Sequence, residues 1–220
     1  KKDRLLFDGL FYGLGQTSQR AIALISLPFF IQYISPADYG VVGLLSSLSI
    51  FMLPIFSLGL NYSISVCYFN SKKNEKTNVI TTALFVSLIS AAFFLTSTIF
   101  FIDDITILLF STLKYKLHTL VAFITIFFSI IVIPIQLYQQ YMQQSVLFLS
   151  FSLISALISV IVSFITIVFM DYEALGLLIG AMVGQALLFL LLFSMNYKIF
   201  SIAAIKNFSV IRELIRIGYP

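Results

Sequence analysis

Long apolar runs separated by short polar segments occupy nearly the whole sequence. The runs predict six membrane-spanning helices, over residues 9–34, 41–69, 78–102, 117–138, 146–170 and 175–195. Each run reaches the roughly 20 residues that a helix needs to cross a bilayer. Between the third and fourth runs, residues 103–116 predict a short amphipathic segment along the membrane surface. The pattern therefore predicts an all-α, polytopic membrane protein, built as a bundle of six transmembrane helices.

Proline and glycine positions predict how these helices bend and pack. Pro54 lies near the middle of the second run, so we expect a tilted or bent helix there. Gly176, Gly180 and Gly184 form two consecutive GxxxG units in the sixth run, which let another helix approach closely. That helix belongs either to the same chain or to a second copy of it, and the sequence leaves both open.

The composition agrees with a membrane protein. Hydrophobic residues make up 60% of the chain and charged residues 10%, whereas soluble domains carry roughly 25% charged residues. Basic loops explain the net charge of +4 without nucleic acid as a partner. The single cysteine, Cys67, excludes an internal disulfide and any site with several thiolate ligands.

Basic residues are distributed unevenly between the two sides of the predicted bundle. Only Lys114 and Lys116 lie in a loop on one side. Ten of the 13 lysines and arginines lie on the other: Lys1, Lys2, Arg4, Lys72, Lys73, Lys76, Lys198, Lys206, Arg212 and Arg216. Because cytoplasmic loops are enriched in Lys and Arg, we expect this side and the N-terminus in the cytoplasm.

One charged residue, Arg20, lies inside an apolar run. It follows Gly9 by 11 residues, which places it about 16 Å into the membrane at about 1.5 Å per residue. Arginine at a helix centre is disfavoured by roughly 2.5–3.5 kcal/mol, so such residues face a wet cavity or a partner. Two interpretations stay open: Arg20 binds a ligand, or it bonds to carbonyl groups of neighbouring helices.

The helical period places Arg20 on a small and polar face of the first run. At about 100° per residue, one stripe contains Gly9, Gly13, Gln16, Arg20 and Leu27. The opposite stripe is apolar and contains Phe11, Leu14, Ile22, Ile25 and Phe29. This arrangement predicts a cavity beside Arg20.

No catalytic pattern appears in the sequence. It lacks a Ser/His/Asp set, an HExxH segment, a glycine-rich phosphate loop and paired carboxylates within a run. We therefore expect a protein that is not an enzyme and that uses no metal or cofactor.

Residues 34–41, ISPADYGV, resemble the L-S-P-x-[DE]-[YF]-G turn of polysaccharide flippases of the Wzx type, within the multidrug/oligosaccharidyl-lipid/polysaccharide exporter superfamily. SLGL at residues 57–60, the segment from Ala174 to Ala181, and the final LIRIGYP agree with further family motifs in position. The resemblance extends over essentially the whole chain. On physical grounds we expect the first motif to be a tight turn on the outer side of the membrane, made by Ser35, Pro36, Asp38, Tyr39 and Gly40. Pro36 starts the turn, Ser35 and Asp38 can cap the next helix, and Gly40 permits close approach of another segment at the start of that helix.

The resemblance implies a domain organisation and a function. Residues 1–210 would form the N-terminal six-helix lobe of a two-lobe exporter, and residues 211–220 would start a seventh transmembrane helix, with the second lobe absent from this chain. The protein would flip isoprenoid-pyrophosphate-linked oligosaccharide units of O-antigen (lipopolysaccharide), capsule or exopolysaccharide across the cytoplasmic (inner) membrane of a bacterium by alternating access. Arg20 would attract the pyrophosphate or acidic sugars, with Gln16, Thr17 and Gln19 as hydrogen-bond donors.

The same resemblance implies partners and leaves alternatives. Expected partners are membrane lipid, the lipid-linked oligosaccharide, and polysaccharide polymerase and chain-length regulator proteins; the coupling ion stays open. A flippase of lipid-linked peptidoglycan precursors would differ mainly in cargo. A multidrug exporter should carry a carboxylate inside the membrane, whereas every Asp and Glu here maps to a loop or a span end. A scaffold subunit without transport would have a sealed interior.

Overall fold

The computed structural model describes residues 13, 17, 21–22, 24–72, 75–197 and 208–218. Helices joined by short connections form this part of the chain, and it contains no strand. In chain order the helices are α1 (residues 24–30), α2 (Pro36–Phe56), α3 (Leu60–Asn70), α4 (Lys76–Phe100), α5 (Ile102–Phe110), α6 (Lys116–Tyr141), α7 (Ser145–Val168), α8 (Glu173–Asn196) and α9 (Phe208–Gly218). A 3₁₀ turn, Leu113–Tyr115, precedes α6.

Membrane-spanning helices dominate the fold, as the hydrophobic pattern predicts. Within the described residues, five helical stretches are long and apolar enough to cross a bilayer: Pro36–Asn70, Lys76–Phe100, Leu113–Tyr141, Ser145–Val168 and Glu173–Asn196. This confirms the all-α, polytopic membrane class. The predicted first span, residues 9–34, falls largely outside the described part, so the count of six stays a prediction.

The second span is not the single bent helix that the sequence suggested. It consists of α2 and α3, separated at Ser57–Gly59, where Leu58 and Gly59 have positive φ values of 52° and 60°. Pro54 lies inside α2, four residues before Leu58, and it has no N–H to donate to the preceding turn of the helix. Gly59 then adopts the left-handed conformation at no steric cost, since it has no Cβ.

The core of the described bundle surrounds α6, which contacts α2, α3, α4, α7 and α8. Its residues Ile130, Ile131 and Ile135 are almost completely buried. The amphipathic segment predicted between the third and fourth spans contains the helix α5, and Lys116 at the start of α6 forms a 2.6 Å salt bridge with Asp103 of α5. This salt bridge joins α5 to the start of α6.

The glycine strip of α8 packs against α7. A Cβ added to Gly176 would lie 2.6 Å from Ile167 Cγ1, and one added to Gly184 would lie 2.8 Å from Ser159 Cβ. A Cβ on Gly180 would collide with the hydroxyl of Ser163. The strip is therefore occupied by a neighbouring helix of the same chain, which leaves it unavailable to a second copy.

Candidate functional site

Most of the residues predicted to bind the cargo lie outside the described part of the chain. This holds for Gly9, Gln16, Gln19 and Arg20, so the geometry around Arg20 stays a prediction. Gly13 and Thr17 are described, and both are helical and exposed. The Thr17 hydroxyl donates to the Gly13 carbonyl at 2.8 Å, and a Cβ on Gly13 would meet no atom within 4 Å.

The described part of the first run divides the apolar stripe that was predicted for it. Ile25 and Phe29 are exposed, whereas Ile22 lines a small cavity. The buried side of α1 instead carries Phe30, and it continues to Ile34, where both pack against Ile167 of α7. The contact with α7 therefore decides which side of α1 is covered, and hydrophobicity alone does not.

The cavity at Ile22 has a volume of about 200 Å³, and both polar and apolar side chains line it. Thr125 of α6, Ser155 of α7 and Gln185 of α8 all line it. The Thr125 and Ser155 hydroxyls donate to carbonyls of their own helices, and the Gln185 side chain forms no hydrogen bond within the described residues. With about 30 Å³ per liquid water molecule, the space suits a few waters and not an oligosaccharide.

The predicted outer turn caps α2. The Ser35 hydroxyl accepts a hydrogen bond from the Asp38 N–H at 3.1 Å and donates to Asp38 Oδ2 at 2.6 Å. Pro36 occupies the first helical position, where its missing N–H is not needed. The Tyr115 hydroxyl donates to Asp38 Oδ1 at 3.4 Å, so the turn also joins α2 to the segment before α6.

The last two residues of this motif have different surroundings. Tyr39 packs against the cluster that contains Phe30 and Ile34. Gly40 is exposed, and a Cβ there would meet no atom within 4 Å. The close approach expected at Gly40 is therefore wrong for the described part of the protein, because this side of α2 faces outward.

A second set of charged side chains lies on α9. Arg212, Glu213 and Arg216 are exposed, and together with Ile217 they line a cavity of about 480 Å³, which we call the cationic cavity. Neither arginine forms a salt bridge within the described residues. The two arginines are four positions apart and thus share one face of the helix.

The packing of α9 places the cationic cavity beside α3, which belongs to the candidate membrane span Pro36–Asn70. α9 lies along α3, and its last residue, Gly218, contacts the helix break: a Cβ on Gly59 would lie 2.9 Å from the Gly218 carbonyl carbon. Gly59 precedes Asn70, the end of α3, by 11 residues, or about 16 Å of helix. Arg216 precedes Gly218 by two residues, which places it about 13 Å from that end.

A charged residue at this depth requires water or an ion partner, because lipid solvates it poorly. The cationic cavity is large enough to hold water, and its two arginines can attract an anion. Sequence reasoning grouped Arg212 and Arg216 with the basic loops and missed this site. The spacing of the two arginines was visible, but only the contact between α9 and α3 sets their depth.

Comparison with known proteins gives one match. Residues 5–220 match the sequence profile of a family described as "Polysaccharide biosynthesis protein". No curated protein and no solved structure matches the chain. The family match covers almost all of the sequence, including every described helix.

Proposed function

Because the chain belongs to the polysaccharide biosynthesis protein family, we propose that this multi-pass membrane protein flips lipid-linked oligosaccharide units. The cargo is an isoprenoid-pyrophosphate-linked repeat unit of O-antigen, capsule or exopolysaccharide. The protein moves it across the cytoplasmic membrane of a bacterium, as a transporter and not as an enzyme. In this proposal residues 1–210 form one six-helix lobe, α9 begins the next span, and polymerase and chain-length regulator proteins receive the product.

The observation that carries the proposal is the cationic cavity on α9. A pyrophosphate is doubly anionic or more, and it cannot enter lipid without a partner of opposite charge. Arg212 and Arg216 offer two guanidinium groups on one helix face, and each can form paired hydrogen bonds with phosphate oxygens. Glu213 lines the same cavity, so the described lining residues carry a net charge of +1, which favours binding of an anionic head group.

Arg20 is the second cation of the proposed path. The sequence places it near the membrane midplane, about 16 Å from Gly9 along a helix. Arg212 and Arg216 then receive the head group nearer the basic end of the bundle, and Arg20 attracts it farther in. The donors proposed beside Arg20 are Gln16, Gln19 and Thr17, although the Thr17 hydroxyl, which donates to the Gly13 carbonyl in the structure, would have to release that bond to reach the cargo.

The test compares single substitutions in a strain that lacks its own flippase. Arg216→Ala should abolish complementation, and Arg216→Lys should restore part of it because the charge is kept. Lys114→Ala is the control, since Lys114 is also an exposed cation and lies at the opposite end of the bundle. The proposal fails if Arg216→Ala complements as well as the control at the same protein level in the membrane.

Arg20 is tested separately in the same strain. Arg20→Ala should abolish complementation while the protein still inserts into the membrane at the normal level. Normal complementation would refute the role given to Arg20 and leave the one given to α9 intact.

Glu213 favours one alternative, export of cationic drugs. The sequence placed every acid in a loop or at a span end, but Glu213 lies on a helix beside α3 and faces the cationic cavity. If the protein exports cationic drugs, Glu213→Gln should lower the drug resistance of cells that express it. If it flips an anionic lipid, the same substitution should leave drug resistance unchanged.

A further inference from the structure

An apolar groove lies beside the cationic cavity, on a neighbouring face of α9. Its volume is about 440 Å³, within the range of about 300–1,000 Å³ that is usual for pockets holding small molecules. The end of α2, the middle of α4, and α9 form its walls. We call it the lateral groove.

The chemistry of the lateral groove suits a hydrocarbon. Ser90 of α4 is the one polar side chain among its described lining residues, and its hydroxyl donates to the Phe56 carbonyl. The helix break after α2 leaves that carbonyl without its usual partner in a continuing helix. Because the Ser90 hydroxyl already donates a hydrogen bond, the groove presents mainly aromatic and aliphatic carbon atoms to a ligand.

The lateral groove is open to the side of the bundle. Ile55, Ile89, Phe93 and Ile215 line it, and these side chains are 41% to 68% exposed. Two of its walls, α2 and α4, belong to helical stretches that are long and apolar enough to cross a membrane, so an opening beside them lies at the level of the lipid chains. A hydrocarbon chain can therefore enter the groove from the bilayer without passing through water.

One helix joins the lateral groove to the cationic cavity. Ile211 and Ile215 of α9 line the groove, and Arg212 and Arg216, each one position further along, line the cavity. A molecule that contacts both sides of α9 needs an apolar chain attached directly to an anionic group. Basic pockets between transmembrane helices bind anionic lipid head groups in this way.

We propose that the lateral groove binds the segment of the polyisoprenoid chain nearest the pyrophosphate while the pyrophosphate contacts Arg212 and Arg216. This inference rests on the proposed function and adds a binding site for the tail of the cargo. The groove is too small for the whole chain, so the remainder stays in the bilayer. Binding the first isoprene units fixes the position of the head group relative to the helix break.

The test uses the full-length protein in membranes and a photoreactive undecaprenyl phosphate with a diazirine in the isoprene units next to the phosphate. Labelled peptides should come from α4, α9 and the end of α2. Ile89→Trp and Ile215→Trp fill the groove and should lower labelling about tenfold, which corresponds to the loss of about two buried methylene groups. Both positions are partly exposed, so the larger side chain can be accommodated.

Ile50→Trp is the matched control, because Ile50 is a 73% exposed isoleucine on α2 outside the groove. It should be labelled like the wild type. Competition with unlabelled undecaprenyl phosphate should suppress labelling, and an equal amount of phosphatidylglycerol should not.

Two results would overturn the inference: equal competition by phosphatidylglycerol, which would make the groove a site for ordinary phospholipid, or label spread over peptides outside the groove. Failure of the proposed function gives a different result. In that case the wild-type protein would not complement a flippase-deficient strain, although the groove would still be labelled and the Trp variants would still lose the label.

Discussion

Some helical glycines of this protein contact a neighbouring helix and others face outward. This difference decides whether replacing a glycine with alanine destabilises the protein. Gly180 faces α7, where a Cβ would meet the Ser163 hydroxyl and lie 2.5 Å from the Ser159 carbonyl oxygen. Gly43 on α2 faces outward and has no atom within 4 Å of the same position. The two residues are therefore a matched pair for testing the contact between α7 and α8.

Gly180→Ala should destabilise the protein by about 1–3 kcal/mol, the usual cost of overpacking, because α7 and α8 must move apart. Gly43→Ala should be neutral or stabilising by up to about 1 kcal/mol, since alanine is the better helix former. Thermal unfolding of the purified proteins in detergent measures both changes. Equal Tm values for the two variants would contradict the packing of the glycine strip on α7.

At the scale of elements, α9 takes part in three features: the buried cluster with α3, the lateral groove and the cationic cavity. Leu214 is completely buried in the cluster that contains Leu60 and Ile64 of α3. On its other faces α9 lines the lateral groove and the cationic cavity. The docking of this one helix through Leu214 therefore sets the geometry of both sites.

Leu214→Ala should cost about 2–5 kcal/mol, as is typical when a fully buried leucine is truncated. Ile215→Ala, on the next residue of the same helix, should cost less than about 1 kcal/mol because that side chain is partly exposed. Thermal unfolding gives the two values. Trypsin cleavage at Arg212 and Arg216 in native membranes gives an independent measurement, and it should be faster in Leu214→Ala than in Ile215→Ala.

At the scale of the whole molecule, the bundle has two ends of different charge. Lys72 and Lys76 lie at the connection between α3 and α4, and Lys114 lies at the opposite end, near the salt bridge between Asp103 and Lys116. The distribution of basic residues predicts that the first of these ends is cytoplasmic. In the proposed function this is the end from which the cargo enters.

Labelling of single cysteines tests this orientation. Cys67 is buried and is first replaced by alanine, after which Glu75→Cys and Lys114→Cys each add one exposed thiol. A maleimide that cannot cross membranes should label Lys114→Cys in intact cells, and Glu75→Cys only after the membrane is opened. The reverse pattern would show that the bundle is inserted with the opposite orientation.

The comparison of predicted and observed spans shows how accurately the hydrophobic pattern predicts the ends of the helices. The third, fourth, fifth and sixth runs were predicted within three residues of the ends of α4, α6, α7 and α8. This accuracy has a physical reason: in lipid every backbone polar group must be satisfied within a helix, so an apolar run of sufficient length has one available structure. The family, too, was identified from short motifs in the sequence and is confirmed by the match over residues 5–220.

The break between α2 and α3 was only partly predictable. Pro54 indicated a bend, but the break itself lies at Leu58 and Gly59, where Gly218 contacts the backbone. That contact joins residues about 160 positions apart, and no local pattern contains it. The wrong prediction of a close approach at Gly40 has the same cause: the surroundings of Gly40 depend on which side of α2 the other helices cover, and the local sequence does not contain that information.

The sequence by itself determined the membrane class, the positions of four spans and the family, because these follow from hydrophobicity and from short motifs read along one chain. Only the tertiary structure decided that Arg212 and Arg216 line a cavity beside α3 and that a lateral groove lies on a neighbouring face of the same helix. Both depend on α9 packing against α3, and side-chain contacts between distant segments settle such packing. Charge and hydropathy along the chain do not specify it.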